Sequence, residues 1–250
     1  MRVAVGRRPG GCATTVTVTT LVVSPHLDDG VLSCGHLLLT QPGSVVATVM
    51  AGHPARGTLS DWDRACGFVA GDDPVARRRE EDRESLELVG ARPWHLDFLD
   101  LPYRETRAPD AGGTISATDI ARRLVELVHE LTPTRVLIPL GLLHPDHVLT
   151  HEAGVLLRQS APAVAMWAYK DLPYGLAHPQ LVTPQLDGLQ RRGVRVRPVT
   201  VECPTHAEVK RDAAARYASQ VDPVMNDLGR KAWEHTFLEG SEEFWQLTEA

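Results

Sequence analysis

Paired cysteines are absent from this sequence. Its four cysteines, Cys12, Cys34, Cys66 and Cys203, lie far apart, and no two of them have Cys-x-x-Cys spacing. This distribution argues against a zinc knuckle and against a dithiol redox motif. We expect reduced thiols and a cytoplasmic location, because disulfides are rare in that compartment.

Long apolar runs and blocks of basic residues are also missing. No window approaches the ~20 apolar residues that a membrane span needs, and residues 1–20 lack an apolar core of signal-peptide length. The net charge is -6, and the arginines are dispersed along the chain. We therefore expect neither a membrane span nor a nucleic-acid partner, and we predict a small-molecule substrate.

The length of 250 residues fits one α/β domain with a sizeable core. We predict a loose N-terminal arm over residues 1–18 and a single domain over residues 19–250. A homo-oligomer is compatible with this organisation.

The alternation of short β-branched runs with helical periodicities predicts an α/β fold with a mainly parallel central sheet. The first predicted strand ends at His26. The later predicted strands cover residues 44–50, 94–99, 135–140, 163–169 and 194–201. The predicted helices include residues 77–89, 118–131, 147–159 and 207–219. Residues 52–73 are interpreted as a loop with one short helix at the rim of the sheet.

Two polar clusters follow predicted strands. Pro25-His26-Leu27-Asp28-Asp29-Gly30 comes directly after an apolar run, and His144-Pro145-Asp146-His147 comes just after the strand at residues 135–140. Each aspartate alone is also a plausible helix N-cap. However, two adjacent carboxylates repel each other unless a cation is near. In open α/β sheets, ligand sites form at the carboxyl ends of the strands, so we expect the two clusters to meet there.

Their residue types suit a metal-dependent hydrolase. Catalytic zinc takes three protein ligands and keeps a position for water, whose pKa falls to about 7. His26, one aspartate of the pair and His147 would supply those ligands. The other aspartate would act as general base, and His144 would stabilise the oxyanion or protonate the leaving group. Iron(II) is compatible with the same ligands.

The two clusters resemble the metal motifs of the PIG-L/LmbE-type zinc-dependent N-acetylglucosaminyl deacetylases, with Leu27 in place of a proline and Gly30 in place of a glutamate. Arg78-x-x-Glu81 and Tyr217-Ala218-Ser219-Gln220 are similar to two further motifs of that family, so the resemblance covers roughly residues 20–245. It implies a Rossmann-like three-layer sandwich. It also implies the following roles: His26, Asp29 and His147 as zinc ligands, Asp28 as base, His144 as acid or oxyanion group, and Asp146 as the partner of a histidine.

The substrate implied by the resemblance is an amino sugar or glycoside that carries an N-acyl, typically N-acetyl, group. Arg78 is our candidate for contact with sugar hydroxyls, although an arginine on a Glu-rich helix is often only a surface ion-pair partner. Asp100 is a weaker candidate. For the tryptophans at 62, 94, 167 and 233, we expect core packing rather than stacking on a sugar.

Several functional readings compete. A tailoring step in specialised metabolism, such as deacetylation of a glycosylated antibiotic, is favoured over a mycothiol-type deacetylase or amidase, because Leu142 and Leu143 stand where mycothiol-type relatives carry a tyrosine. A 2-His-1-carboxylate iron(II) oxygenase would use His26, Asp28 and His147, but the strand–helix alternation argues against its β-helical fold. A non-catalytic binding module would leave the aspartate pair unexplained.

Overall fold

The computed structural model describes residues 20–105, 115–201, 207–238 and 240–249, so the predicted arm over residues 1–18 lies outside the described residues. One sheet has the strand order β3-β2-β1-β4-β5-β7-β6. Its strands are β1 (Thr20–Ser24), β2 (Val45–Thr48), β3 (Arg92–His95), β4 (Arg135–Pro139), β5 (Ala165–Tyr169), β6 (Val194–Val199) and β7 (Phe244–Glu249). Strands β1 to β5 pair in parallel, whereas β7 is antiparallel to both of its neighbours. The predicted mainly parallel sheet is confirmed.

Helices connect the strands and cover the sheet. They are α1 (Asp29–Leu39), α2 (Asp61–Ala65), α3 (Pro74–Leu88), α4 (Leu101–Glu105), α5 (Ala117–Leu131), α6 (Pro145–Ser160), α7 (Tyr174–Ala177), α8 (Val182–Arg191), α9 (Ala207–Ala214), α10 (Val221–Leu228) and α11 (Arg230–His235), with a 3-10 turn at Pro179–Leu181. Ser60 and Ser116 begin α2 and α5 with capping boxes, and Asp73 caps α3. Among the described residues, no helix combines the length and the apolar character of a membrane span.

Two hydrophobic cores lie on opposite faces of the sheet. In β1, Leu21 and Val23 face the core that contains α5 and α6, whereas Val22 faces the core that contains α1, α3 and α9. All three side chains are fully buried, as expected for a central parallel strand that is covered on both faces. The three-layer arrangement is therefore confirmed.

The centre of the sheet creates the crevice in which a ligand site is expected. Strand β1 pairs with β2 on one side and with β4 on the other, so the order of the strands reverses between β1 and β4. The loops that follow two such neighbouring strands diverge and leave a crevice at their carboxyl ends. His26 follows β1 and His144 follows β4, so both predicted clusters lie at this crevice.

Two predicted elements have wrong boundaries, and one strand was missed. Strand β3 covers Arg92–His95 rather than residues 94–99, because it is an edge strand in which Pro93 is tolerated. Helix α9 ends at Ala214, so Ser219 lies in a turn rather than in the predicted helix over residues 207–219. Strand β7 was not predicted at all.

Gly30 allows α1 to pack closely on the sheet. A Cβ at this position would lie 2.7 Å from Val46 Cγ1 on β2. The amide N–H of Gly30 donates to Ser24 Oγ at 2.9 Å, and Ser24 Oγ donates to the carbonyl of His26 at 2.7 Å. These contacts fix the turn that carries the first polar cluster.

Candidate metal centre

The turn between β1 and α1 presents His26 and Asp29 to the crevice. The backbone N–H of His26 donates to Asp29 Oδ2 at 2.9 Å, and His26 Nδ1 lies 3.1 Å from the same oxygen. Asp29 is 3% exposed and begins α1. The side chains therefore meet inside the protein, where a carboxylate needs a cationic partner.

Helix α6 brings the second cluster to the same place. His144 is the N-cap of α6, and its Nδ1 accepts a hydrogen bond from the Asp146 N–H at 3.2 Å. The N-cap is thus His144 rather than Asp146, which was the alternative reading. His147, in the first turn of α6, places Nε2 3.1 Å from Asp29 Oδ2. One ligand atom from each of His26, Asp29 and His147 can be chosen so that all three lie within 4.8 Å of one another.

The buried imidazole of His147 is held with one nitrogen directed at this cluster. His147 Nδ1 lies 2.6 Å from Asp171 Oδ1, and His147 is fully buried. Its Nε2 is also buried and lies near Asp29 Oδ2, but it makes no hydrogen bond of good geometry within the described residues. Burial lowers the pKa of His147, but Asp29 and Asp171 outweigh it and raise this pKa to about 9. A divalent cation beside Nε2 would supply the missing partner, so the donor set fits a metal.

Asp28 occupies a different position from Asp29. It stands at the N-cap of α1, but its side chain makes no capping hydrogen bond. It lines the cavity in front of the cluster. Burial and the neighbouring charge of Asp29 raise the pKa of Asp28 to about 7, whereas His147 and His26 overcome the effect of burial and hold the pKa of Asp29 well below its usual range. Two adjacent carboxyl groups therefore have opposite protonation behaviour.

His144 faces the cluster from the other side. Its ring centroid lies 4.8 Å from that of His26 and 5.7 Å from that of His147. Burial, followed by the charges of His26 and His147, lowers the pKa of His144 to about 4. Because its Nδ1 accepts from the backbone, neutral His144 carries its proton on Nε2.

Asp146 contacts both His26 and helix α4. Its Oδ2 is 3.4 Å from His26 Nε2 and accepts a hydrogen bond from the Leu101 N–H at 3.0 Å. Its other oxygen is paired with Arg104. His26 and Arg104 outweigh the effect of burial and hold the pKa of Asp146 well below its usual range. Asp146 thus connects the histidine of the first cluster to α4.

A cavity of about 290 Å³ opens in front of these side chains. Carboxylates, histidines and apolar side chains all contribute to its wall. The lining residues are His26, Asp28, Asp29, Leu32, Trp62, Asp100, Pro102, His144, Pro173, Tyr174, Gln220, Val224, Asp227 and Leu228.

The motifs and the fold identify the family. The PIG-L family, described as GlcNAc-PI de-N-acetylase, matches residues 21–157, which is more than half of the chain. The chain belongs to the PIG-L family. The match includes both strand-end clusters, so the resemblance predicted from the sequence is confirmed.

Two known relatives of this PIG-L chain are deacetylases by name. It is 32% identical over 177 residues to the 2'-N-acetylparomamine deacetylase of Streptomyces fradiae, covering 62% of this chain and 57% of that protein. It is 29% identical over 134 residues to the diacetylchitobiose deacetylase of Thermococcus kodakarensis, covering 51% of this chain and 44% of that protein. The aligned region thus spans about half the length of these two relatives.

A solved structure shows the same fold. The zinc-inhibited form of teicoplanin deacetylase Orf2 superposes with a TM-score of 0.73 and 23% sequence identity, covering 93% of this chain and 99% of that chain. The α/β architecture is therefore shared over nearly the whole PIG-L chain.

Two residues that support the site were not predicted from the sequence. Asp171 orients His147, and its Oδ2 also accepts the Gly141 N–H at 3.0 Å. Arg104 neutralises Asp146. A carboxylate two residues after β5 was a usable signal for Asp171, whereas no pattern around Arg104 indicated its partner.

The residues considered for substrate contact do not all lie at the cavity. Asp100 and Trp62 line the cavity, so Trp62 does not have the core position expected for it. Arg78 is 4% exposed and pairs with Asp63 Oδ1 at 2.9 Å, so it is not a surface residue. Arg78 is not part of the cavity wall described above, and its contact with a sugar stays a prediction.

Proposed function

We propose that this protein is a metal-dependent N-deacetylase that hydrolyses the N-acetyl amide of an amino sugar or glycoside to a free amine and acetate. The observation that carries the proposal is the convergence of His26, Asp29 and His147 beside a cavity whose wall also includes Asp28 and His144. Membership of the PIG-L family and the names of the relatives support it.

The ion would be held by His26, Asp29 and His147. Two imidazoles and one carboxylate are a ligand set that zinc accepts, and iron(II) is compatible with it. A bound zinc ion supplies a Lewis acid that lowers the pKa of a coordinated water and polarises a carbonyl group. Asp171 keeps the proton of His147 on Nδ1, which leaves Nε2 available as the ligand atom.

Asp28 is the proposed general base. A base works best when its pKa lies near the working pH. Burial and Asp29 bring the pKa of Asp28 to about 7, and its carboxyl group is not occupied by helix capping. Asp28 therefore takes the proton of the attacking water and can return it to the departing nitrogen.

His144 is the proposed hydrogen-bond donor to the reacting amide. Its lowered pKa keeps the ring neutral at pH 7, and its Nδ1 is occupied by the Asp146 N–H. The proton on Nε2 is then available to the developing oxyanion or the leaving nitrogen. Asp146 holds this arrangement through its contacts with His26 and Arg104.

The cavity suits a glycoside rather than acetate alone. Its volume of about 290 Å³ exceeds the space that an acetamide group needs, and Trp62 and Tyr174 offer aromatic surface beside the carboxylates. Two relatives are named for amino-sugar substrates. We place the reaction among tailoring steps of specialised metabolism, in a cytoplasm where the thiols of Cys34 and Cys66 remain reduced.

Release of free amine from N-acetylglucosamine, N,N'-diacetylchitobiose and 2'-N-acetylparomamine tests the proposal. The purified protein is assayed as isolated, after chelation and after zinc is restored. We expect release from at least one member, loss on chelation and recovery with zinc. No release by protein that holds one ion per chain would overturn the proposed substrate class, and release that survives complete metal removal would overturn the mechanism.

A further inference from the structure

Gln220 is a buried side chain without a described partner at the cavity wall. It is 8% exposed and lines the cavity. Its Nε2 is buried and makes no hydrogen bond within the described residues. This amide is not part of the proposed metal site, and it is distinct from the proposed base, Asp28, and the proposed donor, His144.

Leaving an amide donor buried without a partner is unfavourable, so such groups are uncommon in folded proteins. Gln220 contributes to the wall of a cavity that has room for a ligand. A ligand oxygen would give Nε2 the hydrogen bond that it lacks. The position of the group therefore points to a partner that arrives with the substrate.

The turn before α10 holds this amide in place. Ser219 Oγ donates to Glu81 Oε2 at 2.6 Å, and the Ser219 N–H donates to Glu81 Oε1 at 3.2 Å. Tyr217 donates its hydroxyl hydrogen to Asp82 Oδ1 at 2.9 Å. Both carboxylates are buried and belong to α3. Gln220 thus follows a turn that is anchored to a long helix, as a preorganised recognition group requires.

The cavity wall explains why an oxygen is the expected partner. Besides the proposed metal ligand Asp29 and the proposed base Asp28, the wall includes Asp100 and Asp227, which can supply carboxylate acceptors. A sugar hydroxyl donates one hydrogen bond and accepts others. Carboxylates satisfy the hydroxyl hydrogens, whereas the hydroxyl oxygens need donors such as the amide of Gln220.

We propose that Gln220 donates a hydrogen bond from Nε2 to an oxygen of the bound amino sugar, outside the scissile amide, and so helps to determine substrate specificity. This inference rests on the proposed function. It assigns a role to the Tyr217-Ala218-Ser219-Gln220 segment, which the metal chemistry does not need.

Gln220→Met tests the proposal, because it keeps the length of the side chain and removes the amide. With the best substrate of the three-member panel, kcat/KM should fall about tenfold, mostly through KM, as for the loss of one hydrogen bond. The melting temperature should stay equal or rise, because a buried donor without a partner has been removed. Gln190→Met, at an exposed glutamine of α8, is the matched control and should change neither quantity.

Gln220→Asn provides a second variant, since it retains the amide but withdraws it by one methylene. It should also raise KM without loss of bound metal. An unchanged kcat/KM in both variants overturns the assignment, as does a drop in melting temperature with a matching loss of kcat, which would indicate a structural role. If the wild-type protein itself releases no amine, the proposed function fails and this inference fails with it. An active wild type with unaffected variants overturns the assignment of Gln220 alone.

Discussion

Asp171→Asn is the sharpest test of the metal centre, because it changes one atom at a position that does not itself touch the ion. In the wild type, Asp171 accepts two hydrogen bonds, from His147 Nδ1 at 2.6 Å and from the Gly141 N–H at 3.0 Å. An asparagine has one carbonyl oxygen and can serve only one of these donors. Its NH2 group then faces the other donor inside the protein.

Either choice has a calculable cost. If the carbonyl keeps Gly141, His147 loses the acceptor that fixes its tautomer, and loss of such a partner lowers metal affinity by about 10–100-fold, or about 1.4–2.7 kcal/mol. If the carbonyl keeps His147, the buried N–H of Gly141 is left without a partner, which costs about 1–3 kcal/mol of stability. We therefore expect weaker metal binding, lower stability, or both.

A competition titration with a chromophoric chelator measures zinc affinity, and thermal unfolding of the metal-free protein measures stability. Asp212→Asn, at an exposed position of α9, is the matched control and should change neither value. If Asp171→Asn matches wild type in both assays, Asp171 does not orient His147 and the reasoning about the unpartnered Nε2 is wrong.

Three further changes test the rest of the site. Asp28→Asn should retain one zinc ion and lose about 10²–10⁴-fold in kcat, whereas Asp29→Asn should lose the ion itself. Metal analysis combined with kinetics distinguishes the two variants. A fully active Asp28→Asn protein would refute the role of Asp28 as general base. Gly30→Ala should reduce the free energy of unfolding by about 1–3 kcal/mol, because its Cβ would press on Val46. Gly188→Ala in α8 should not, because its Cβ would meet only the end of the Arg191 side chain at an ordinary contact distance of 3.7 Å. Urea unfolding compares the two variants, and equal stability of the two would contradict the close packing. Zinc at about 100 times its Kd should stabilise the protein by about 2.7 kcal/mol. The effect should be measured as a higher melting temperature that chelation reverses. An unchanged melting temperature would argue against a metal bound by the native state.

The metal centre was the part that sequence could predict best. His26 and His144 lie in the loops that follow two apolar strands, and neighbouring parallel strands bring their carboxyl ends together. Local pattern and sheet geometry were therefore enough to place both clusters at one crevice. The sequence could not show which aspartate would be used for capping; the structure shows that the side chain of Asp28 caps nothing.

The features that were missed depend on contacts between distant segments. Strand β7 inserts between β5 and β6, and nothing in its six residues indicates this antiparallel position. Arg104 and Asp146 are 42 residues apart, and Ser219 and Glu81 are 138 residues apart. Such pairings arise from the packing of helices on the finished sheet, which composition and periodicity do not encode.

Helix α3 links the two walls of the cavity in a way that its sequence did not suggest. Arg78 pairs with Asp63, next to Trp62, while Glu81, one turn further along, binds Ser219, next to Gln220. The proposed metal ligands, by contrast, lie in the turn after β1 and in the first turns of α1 and α6. Because the proposed metal ligands and the two residues Trp62 and Gln220 lie on different elements, we expect substitutions at Trp62 or Gln220 to alter the accepted substrate while metal binding is retained. That separation is consistent with relatives that are named for different acetylated amino sugars.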